Sequence, residues 1–414
     1  MPADAPPTRI GVVGCGVVAT AYYLPVVMDH PHATLAAVCD LDQARVDACV
    51  RLFGAEKGYT DYTAMLDDAE LDAVLILTAP GTHLAFSLAA IERGIHLLIQ
   101  KPMALDLAGA DAITKAVREA ELVCVVEPSD HTLLDPQYRQ VREIIDRGVL
   151  GRPYWFQYID TAGTEYHAML GGNPYGNAAF YAADSGGMLF DFPYAPCRIV
   201  TCLGSCKSVT GNAKLSIPER KIVPDDGYTD FLAQCTDPSD CNYWEVVLGM
   251  EKSQTITAGA PDNVFSNYEL DSGWIGTFHI GRPFHPLPKD GTGGGNLRIF
   301  GEAGNLIFGA GANFASFITE RKDLLPEAGD DGWYHLTVLG DFEKAQWPKP
   351  VPGAFDYYAE STRHLIDCIR NGKDPIVNVE FGRHITEMMW GALESSRTGR
   401  RYDMTTTTTG VRDA

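Results

Sequence analysis

The sequence predicts an α/β protein of two domains, with a parallel, doubly wound sheet first and an α+β domain with a mostly antiparallel open sheet after it. Strand and helix patterns alternate up to about Val126, and a glycine-rich turn follows the first strand. From Arg152 onward, short β-type runs between turn residues replace this alternation. At 414 residues the chain exceeds the usual size of one hydrophobic core. We therefore expect domains at 1–128 and 129–414, with the C-terminal helices packed back on the first domain.

The elements of the first domain are predicted from apolar periodicity. The near-continuous apolar run Ala73 to Leu77 is typical of a strand that is buried on both faces. The predicted strands are Arg9 to Val13, Thr34 to Cys39, Ala73 to Leu77, His96 to Ile99 and Leu122 to Val126. The predicted helices are Val17 to Met28, Leu41 to Phe53, His83 to Arg93 and Leu105 to Ala120.

The second domain is predicted from β-type runs with turn residues between them, which favour an antiparallel sheet. These runs are Tyr154 to Tyr158, Val209 to Leu215, Phe231 to Gln234, Trp244 to Gly249, Gln254 to Ala258, Trp274 to His279 and Asn296 to Phe300. Gly291 to Gly295 is interpreted as a loop rather than a phosphate-binding turn, because no helix follows it.

Composition excludes several classes of function. The chain has 54 acidic and 33 basic residues and a net charge of -21, which argues against a nucleic-acid partner. No apolar run approaches the roughly 20 residues that span a bilayer, and the N-terminus has no secretory signal pattern. Of the ten cysteines, Cys202 and Cys206 lie close together without a second pair, so we expect no zinc or other metal site. Buried, reduced thiols predict a cytoplasmic protein, and the lack of a long apolar run predicts that it does not bind membranes.

The turn after the first strand has the form G-x-G-x-x-A. Gly14 permits a tight turn, Gly16 allows the backbone to approach a pyrophosphate, and Ala19 lets the helix pack close to the strand. Val17 and Val18 open that helix, whose free N–H groups and positive dipole end favour phosphate binding. Because the motif lies between a strand and a helix, it predicts a dinucleotide-binding Rossmann domain.

Asp40 ends the second predicted strand, about 20 residues beyond the glycine turn, where an acidic side chain binds the ribose hydroxyls of NAD. A carboxylate repels a 2′-phosphate, and Leu41 and Asp42 follow it rather than an arginine. The sequence therefore favours NAD over NADP. Alternatively Asp40 caps the next helix, although Asp42 is also placed to do so.

Several segments together resemble the Gfo/Idh/MocA oxidoreductase family, named for glucose–fructose oxidoreductase and inositol dehydrogenase. The resemblance covers nearly the whole chain. The matching segments are Thr78 to His83, Gln100-Lys101-Pro102, the linking helix within Asp135 to Gly151, the strand and glycine turn Leu297 to Gly304, and the helix end Ser395 to Arg401.

The resemblance implies roles for individual residues in the first domain. The family's usual tripeptide is Glu-Lys-Pro, and this chain has Gln100 in the first place. Lys101 is implied to contact the nicotinamide region and the reacting hydroxyl, where its ammonium stabilises an alkoxide. On the same grounds Thr78, Pro80, His83 and His131 are expected to bind the cofactor.

The family's second catalytic motif, usually Gly-Gly-Gly-Ala-Leu-Leu-Asp-x-Gly-x-His, corresponds to residues 185–195. Without a gap, Ala195 stands in the place of the histidine; with a one-residue gap, Tyr194 does. Tyr194 would then exchange a proton with the substrate hydroxyl, favoured by the nearby Lys101 cation. Asp191 is expected to orient the substrate or the lysine. Alternatively, Tyr194 only starts a helix and packs its ring, and Asp191 only caps that helix.

Two further residues, Tyr166 and His167, are candidates for contacting the substrate, although structural roles are equally open for both. A serine nucleophile elbow, G-x-S-x-G, is absent from the sequence.

The leading hypothesis is an NAD-dependent dehydrogenase that moves hydride between nicotinamide and a hydroxyl-bearing carbon of a sugar, glycoside or polyol. The resemblance indicates C3 of a sugar ring as one position, and its open sheet implies a homodimer or homotetramer. One alternative is an NAD-recycling enzyme that cleaves glycosides by oxidation and elimination or exchanges hydride between sugars. Another is a non-catalytic dinucleotide-binding sensor, because the motif histidine is missing.

Overall fold

The computed structural model describes most of the chain as two large sheets with helices packed on them. The described residues are 5–128, 132–161, 193–222, 227–241, 243, 246, 251, 253–281, 296–309, 313–337 and 357–408.

The first sheet has six parallel strands in the order β3-β2-β1-β4-β5-β6. They are β1 (Thr8–Val13), β2 (Ala33–Cys39), β3 (Lys57–Tyr59), β4 (Ala73–Ile76), β5 (His96–Ile99) and β6 (Cys124–Val126). The order reverses between β1 and β4, so a crevice opens at the carboxyl ends of these two strands, where ligands bind in such folds. The predicted doubly wound sheet is confirmed.

Five α-helices are described in this half: α1 (Leu24–Asp29), α2 (Gln43–Phe53), α3 (Tyr62–Asp68), α4 (His83–Ile91) and α5 (Leu107–Glu119). Three of them, α2, α3 and α5, begin after an aspartate whose side chain caps them. The predicted starts at Leu41 and Leu105 are therefore slightly early, because Asp42 caps α2 and Asp106 accepts a hydrogen bond from the Gly109 amide at 2.7 Å.

The helix predicted from Val17 to Met28 is not a regular α-helix. A π-helical turn, Ala19–Tyr23, precedes α1, and its Tyr22 and Tyr23 are both buried. The Tyr22 ring stacks on the Tyr358 ring with centroids 4.3 Å apart, and Tyr23 meets it edge-on at 5.4 Å. Turns of this type insert one extra residue and are frequent at functional sites.

Two elements, β3 and α3, are missing from the sequence prediction. β3 lies at the edge of the sheet and is too short and too exposed to give an apolar run. α3 has its own cap, since the Asp61 carboxylate accepts a hydrogen bond from the Ala64 amide at 2.7 Å.

The second sheet has nine strands in the order β16-β15-β14-β13-β7-β12-β11-β8-β17. The remaining strands are β7 (Pro153–Thr161), β8 (Cys206–Lys214), β9 (Glu219–Ile222), β10 (Gln254–Thr257), β11 (Asn263–Leu270), β12 (Ile275–Gly281), β13 (Asn296–Gly301), β14 (Gly304–Phe308), β15 (Asn313–Thr319), β16 (Trp333–Thr337) and β17 (Tyr402–Asp403). Among these, β7 and β12 pair in parallel, and the other neighbours pair antiparallel, including the separate ribbon of β9 and β10. The predicted mostly antiparallel sheet is confirmed.

The later helices join the two sheets. They are α6 (Pro136–Asp146), α7 (Tyr194–Leu203), α8 (Tyr228–Gln234), α9 (Tyr357–Asn371) and α10 (Val379–Thr398). On α10, Ser395 Oγ accepts a hydrogen bond from the Gly211 amide of β8 at 3.0 Å. Near the other end, a Cβ added to Gly382 would lie 2.5 Å from the Val126 side chain of β6. Helix α10 therefore packs against both sheets.

The strand predicted at Phe231–Gln234 is wrong, because this segment belongs to α8. Gly227, with φ +103°, begins the helix, and Tyr228 and Leu232 are buried one turn apart on one face. That spacing is helical rather than alternating. The strand predicted at Trp244–Gly249 lies outside the described residues except for Val246, and so does the loop at Gly291–Gly295.

All ten cysteines are buried free thiols. Within the described part of the chain, no helix combines the length and the apolar character needed to cross a membrane.

Candidate active site

The glycine turn at the end of β1 is shaped by close backbone contacts. The Gly14 amide donates a hydrogen bond to the Cys39 carbonyl of β2 at 2.8 Å. Gly14 has φ +95°, and a Cβ placed there would lie 2.8 Å from the Leu77 carbonyl oxygen. Only glycine combines this backbone angle with this approach. The turn is therefore held tightly between β2 and β4. Gly16 and Val18 follow it and are partly exposed, whereas the Val17 side chain is buried in the core.

Asp40 is fixed beside the glycine turn. Its Oδ2 accepts a hydrogen bond from the Cys15 amide at 2.8 Å, and its Oδ1 accepts one from the Asp42 amide at 3.0 Å. The helix cap is a different residue, because Asp42 accepts from the Ala44 amide at 2.9 Å. Each Asp40 oxygen has a further lone pair. The carboxylate can therefore accept from a ribose diol while it braces the turn.

The loop after β4 contains three of the predicted cofactor-binding residues. Thr78 and Pro80 are partly exposed, whereas His83 is fully buried. The His83 ring nitrogens lie 2.8 Å from the Pro102 carbonyl oxygen and 3.0 Å from the Thr78 carbonyl oxygen. Burial lowers the pKa of His83, and the two carbonyl contacts oppose this shift, because only a protonated ring can donate to both. His83 therefore links this loop to the Lys101-Pro102 segment through buried contacts, and its side chain is not exposed at the crevice.

Lys101 and Tyr194 lie together at the ends of β5 and α7. The Lys101 Nζ is 5.8 Å from the centre of the Tyr194 ring. Tyr194 is the first residue of α7 and is partly exposed. Ala195, the residue that an ungapped alignment pairs with the family's histidine, is 1% exposed and lies in the apolar core. The structure thus brings the tyrosine, and not residue 195, to the lysine.

Four of the predicted site residues lie outside the described residues. They are His131, Tyr166, His167 and Asp191.

Three buried polar residues next to Lys101 form a hydrogen-bonded set that the sequence does not predict. The Gln100 Oε1 accepts a hydrogen bond from the Lys101 amide at 2.8 Å, and its Nε2 donates to the Tyr23 hydroxyl at 2.9 Å. Tyr23 in turn donates to Glu127 Oε1 at 2.9 Å. A buried Gln-Tyr-Glu set spread over three elements leaves no local sequence pattern, although Gln100 in the place of a glutamate was a visible departure.

Helix α8 also reaches the glycine turn. The Tyr228 hydroxyl donates a hydrogen bond to the Cys15 carbonyl at 3.1 Å and lies 3.0 Å from Thr20 Oγ1. Tyr228 and Cys15 are 213 residues apart, so no sequence pattern indicates the contact. The cofactor turn is therefore held from the second half of the chain as well as from β2.

The chemistry of this crevice fits a dinucleotide. The tight turn at Gly14 leads into a helical segment, whose N-terminal end favours phosphate oxygens, and Asp40 offers acceptors for ribose hydroxyls. Among the described residues there is no group of three or more His, Cys, Asp or Glu side chains placed to hold a metal ion.

Comparison with known proteins decides the family. The family described as "Oxidoreductase family, NAD-binding Rossmann fold" matches residues 8–128. The scyllo-inositol 2-dehydrogenase (NAD(+)) of Bacillus subtilis (strain 168) is 30% identical over 371 residues, which cover 89% of this chain and 88% of that protein. The chain belongs to the Gfo/Idh/MocA oxidoreductase family. The predicted family and the predicted cofactor, NAD, are thereby confirmed.

Other members of the Gfo/Idh/MocA family are similar over different lengths. The dTDP-3,4-didehydro-2,6-dideoxy-alpha-D-glucose 3-reductase of Actinomadura kijaniata is 29% identical over 197 residues, about half of each protein (48% of this chain, 56% of the relative). Two solved structures share the fold across 96% of this chain and 99% of theirs. They are levoglucosan dehydrogenase in complex with NADH and L-sorbose (TM-score 0.69, 17% identity) and an oxidoreductase domain protein from Kribbella flavida (TM-score 0.73, 18% identity).

Proposed function

We propose that this chain is an NAD-dependent dehydrogenase that oxidises a CH–OH group of a sugar or polyol, with Lys101 and Tyr194 as its catalytic residues. The observation that carries the proposal is the approach of the Lys101 ammonium to the Tyr194 ring, 5.8 Å away, beside the strand ends of an NAD-binding sheet. A phenolate can remove the proton of an alcohol, and a nearby cation favours both the phenolate and the alkoxide that forms.

The two side chains have separate tasks. When bound, NAD accepts a hydride from the carbon that carries the hydroxyl group, which leaves a carbonyl. Tyr194, in its phenolate form, accepts the hydroxyl proton, directly or through water, and becomes a neutral phenol. Lys101 favours the phenolate and stabilises the negative charge that develops on the substrate oxygen. Asp191 is proposed to orient the substrate or Lys101.

The cofactor is proposed to lie along the first sheet. Gly14 shapes the tight turn, Gly16, Val17 and Val18 bind the pyrophosphate through their backbone, and Asp40 binds the adenosine ribose. Thr78, Pro80, Lys101 and His131 surround the nicotinamide half, with His83 as support.

Preference for NAD over NADP is supported by the contacts of Arg45, the first arginine after Asp40 in the sequence. The Arg45 Nε donates a hydrogen bond to Thr229 Oγ1 at 2.9 Å, and its guanidinium lies 4.9 Å from the centre of the Tyr228 ring. Arg45 also pairs with Asp42 at 3.5 Å. Because these partners hold it against α8, Arg45 is not available to compensate a 2′-phosphate, which Asp40 would repel.

The substrate class rests on the relatives. Named relatives act on inositols and on a deoxysugar, the latter at its C3 position, so a cyclic polyol or sugar ring is the proposed substrate class. We assign substrate binding to residues 129–414, including Tyr166 and His167, and NAD binding to residues 1–128.

The second sheet is proposed to form a homodimer or homotetramer. Trp155, Phe265 and Ile275 lie on its face opposite the core and are between 43% and 54% exposed. An open apolar sheet face of this kind is typical of a subunit interface. The ten buried free thiols support a reducing compartment, the cytoplasm.

The proposal is tested by screening NAD reduction with free sugars, anhydrosugars, inositols and glycosides. We expect Lys101→Met and Tyr194→Phe to lower kcat with the best substrate by about 10²-fold or more, with NADH affinity nearly unchanged. Lys115→Met and Tyr154→Phe are matched controls, because both residues are exposed, and they should retain full activity.

The outcomes separate the alternative functions. NADH that accumulates with turnover supports a dehydrogenase, whereas product without net NADH supports a recycling enzyme. NADH binding without oxidation of any substrate in the panel supports the sensor and overturns the proposal.

A further inference from the structure

The hydrogen bonds beneath Lys101 form a chain with a defined direction. It runs from the Lys101 amide to Gln100 Oε1, from Gln100 Nε2 to the Tyr23 hydroxyl, and from that hydroxyl to Glu127 Oε1, with lengths of 2.8, 2.9 and 2.9 Å. Every donor points towards Glu127. The chain crosses from the end of β5 to the π-helical turn and then to the end of β6.

The side chains of this hydrogen-bond chain are buried, so bulk water does not replace their protein partners. Tyr23 is 0% exposed, Glu127 is 3% exposed and Gln100 is 9% exposed. A cavity of about 10 Å³ beside Glu127 has room for no more than about one water molecule. A buried polar group without a partner is expensive, so each member of the chain depends on protein partners rather than on bulk solvent.

The Tyr23 hydroxyl has a single proton to donate. Burial, and then the nearby Glu127 carboxylate, raise the pKa of Tyr23, with smaller contributions from Tyr358 and Tyr194, so the phenol stays protonated. Because that proton goes to Glu127, the Tyr23 oxygen must accept from position 100. An amide can donate there, and an ionised carboxylate cannot.

We propose that Gln100, Tyr23 and Glu127 form a polarised positioning chain that holds the Lys101 backbone, and that a donor amide is obligatory at position 100 because the Tyr23 proton is committed to Glu127. The inference rests on the proposed function of Lys101. It accounts for the glutamine in the first place of the Gln-Lys-Pro tripeptide, since a glutamate there would face Tyr23 beside a second carboxylate.

Exchanging the two side chains tests this directly. In Gln100→Glu, two carboxylates compete for one phenol proton, and their mutual repulsion in a buried site raises the pKa of the pair. In Glu127→Gln, the direction of the chain is kept, because Tyr23 can still donate to an amide oxygen. In the double variant the direction reverses, Tyr23 donates to residue 100, and a single carboxylate is restored.

The four proteins are compared by thermal unfolding across pH. We expect Gln100→Glu to match the wild type near pH 4, and its Tm to fall below that of the wild type as pH rises, by about 5 °C near pH 8. The Tm falls as pH rises because the pKa of the added carboxyl group is higher in the folded than in the unfolded protein, so the folded protein binds more protons. Glu127→Gln should fold normally, and the double variant should recover most of the lost Tm. Gln254→Glu, at an exposed position of β10, controls for the added charge.

Kinetics separate positioning from mere stability. Gln100→Glu should lower kcat by about 10- to 100-fold near pH 8, with NADH affinity within about 2-fold of the wild type, and the double variant should restore kcat to within about 3-fold. The inference is overturned if Gln100→Glu has the Tm and kcat of the wild type at that pH. It is also overturned if the losses of Tm and kcat in the double variant equal the sum of the losses in the two single variants. If the wild type turned over no substrate, the proposed function would fail, while the Tm cycle would still decide on the polarised chain.

Discussion

Replacing Gly14 by alanine tests whether the tight turn after β1 is the cofactor site. Two features of this glycine matter: its φ of +95° and the 2.8 Å that would separate an added Cβ from the Leu77 carbonyl oxygen. Gly54 offers a matched control in the same half of the chain. It has φ +70° at the end of α2, and a Cβ there meets nothing within 4 Å.

The two substitutions share the backbone penalty and differ in the clash. A positive φ costs about 1 to 2 kcal/mol for an alanine, so Gly54→Ala should destabilise the protein by about that amount. Gly14→Ala adds a contact that is too short against backbone, and relieving it shifts β1 or β4 at a further cost of about 1 to 3 kcal/mol. The shift also displaces the amides of the turn. We therefore expect NADH affinity to fall by about 10-fold or more in Gly14→Ala and to stay within about 2-fold in Gly54→Ala.

Denaturant unfolding and titration of NADH fluorescence measure the two quantities. Equal losses of NADH affinity in both variants would mean that the defect is general destabilisation. Unchanged NADH affinity in Gly14→Ala would contradict the assignment of this turn to the pyrophosphate.

Three further predictions concern charge and pH. Asp40→Ser should lower NADH affinity by about 10-fold and reduce the preference for NADH over NADPH, because the ribose hydroxyls lose a charged acceptor. The ratio of the two dissociation constants measures this preference. Although burial opposes it, hydrogen bonds from Thr405 and Thr406 lower the pKa of Glu387 to about 2. Glu387→Gln should therefore lower the free energy of unfolding in urea by about 2 to 3 kcal/mol at neutral pH. This difference from the wild type should shrink as the pH falls below about 4. Burial raises the pKa of Asp135 to about 6, so its ionised form destabilises the folded protein at neutral pH. Asp135→Asn keeps an oxygen that can cap α6 and should raise Tm at neutral pH. This gain in Tm should vanish below about pH 4, where Asp135 is protonated.

The parts of the fold that depend on local chemistry were predictable from the sequence. The glycine turn and Asp40 are recognised by residue type and spacing, and apolar periodicity locates the central strands of the first sheet. Periodicity fails where elements are short. β3 has only three residues, and α8 contains an apolar run, Phe231–Gln234, that is too short to distinguish helix from strand.

The site itself was only partly predictable, because its inner layer is assembled over long distances. Lys101 lies in a recognisable tripeptide, but Gln100 meets Tyr23 across 77 residues, and Tyr23 meets Glu127 across 104. The choice between Tyr194 and Ala195 depended on a gap in an alignment. The three-dimensional structure places the tyrosine at the lysine and Ala195 in the core.

Direct hydride transfer to nicotinamide is the central claim, and isotope transfer in a single turnover tests it most directly. A substrate found in the screen would carry deuterium at the carbon that bears the reacting hydroxyl and would be mixed with excess enzyme and NAD. We predict that the deuterium appears at nicotinamide C4, and that Lys101→Met slows its appearance by about 10²-fold. Substrate conversion that leaves the deuterium in the product, or releases it to water, without ever labelling the nicotinamide would contradict the account.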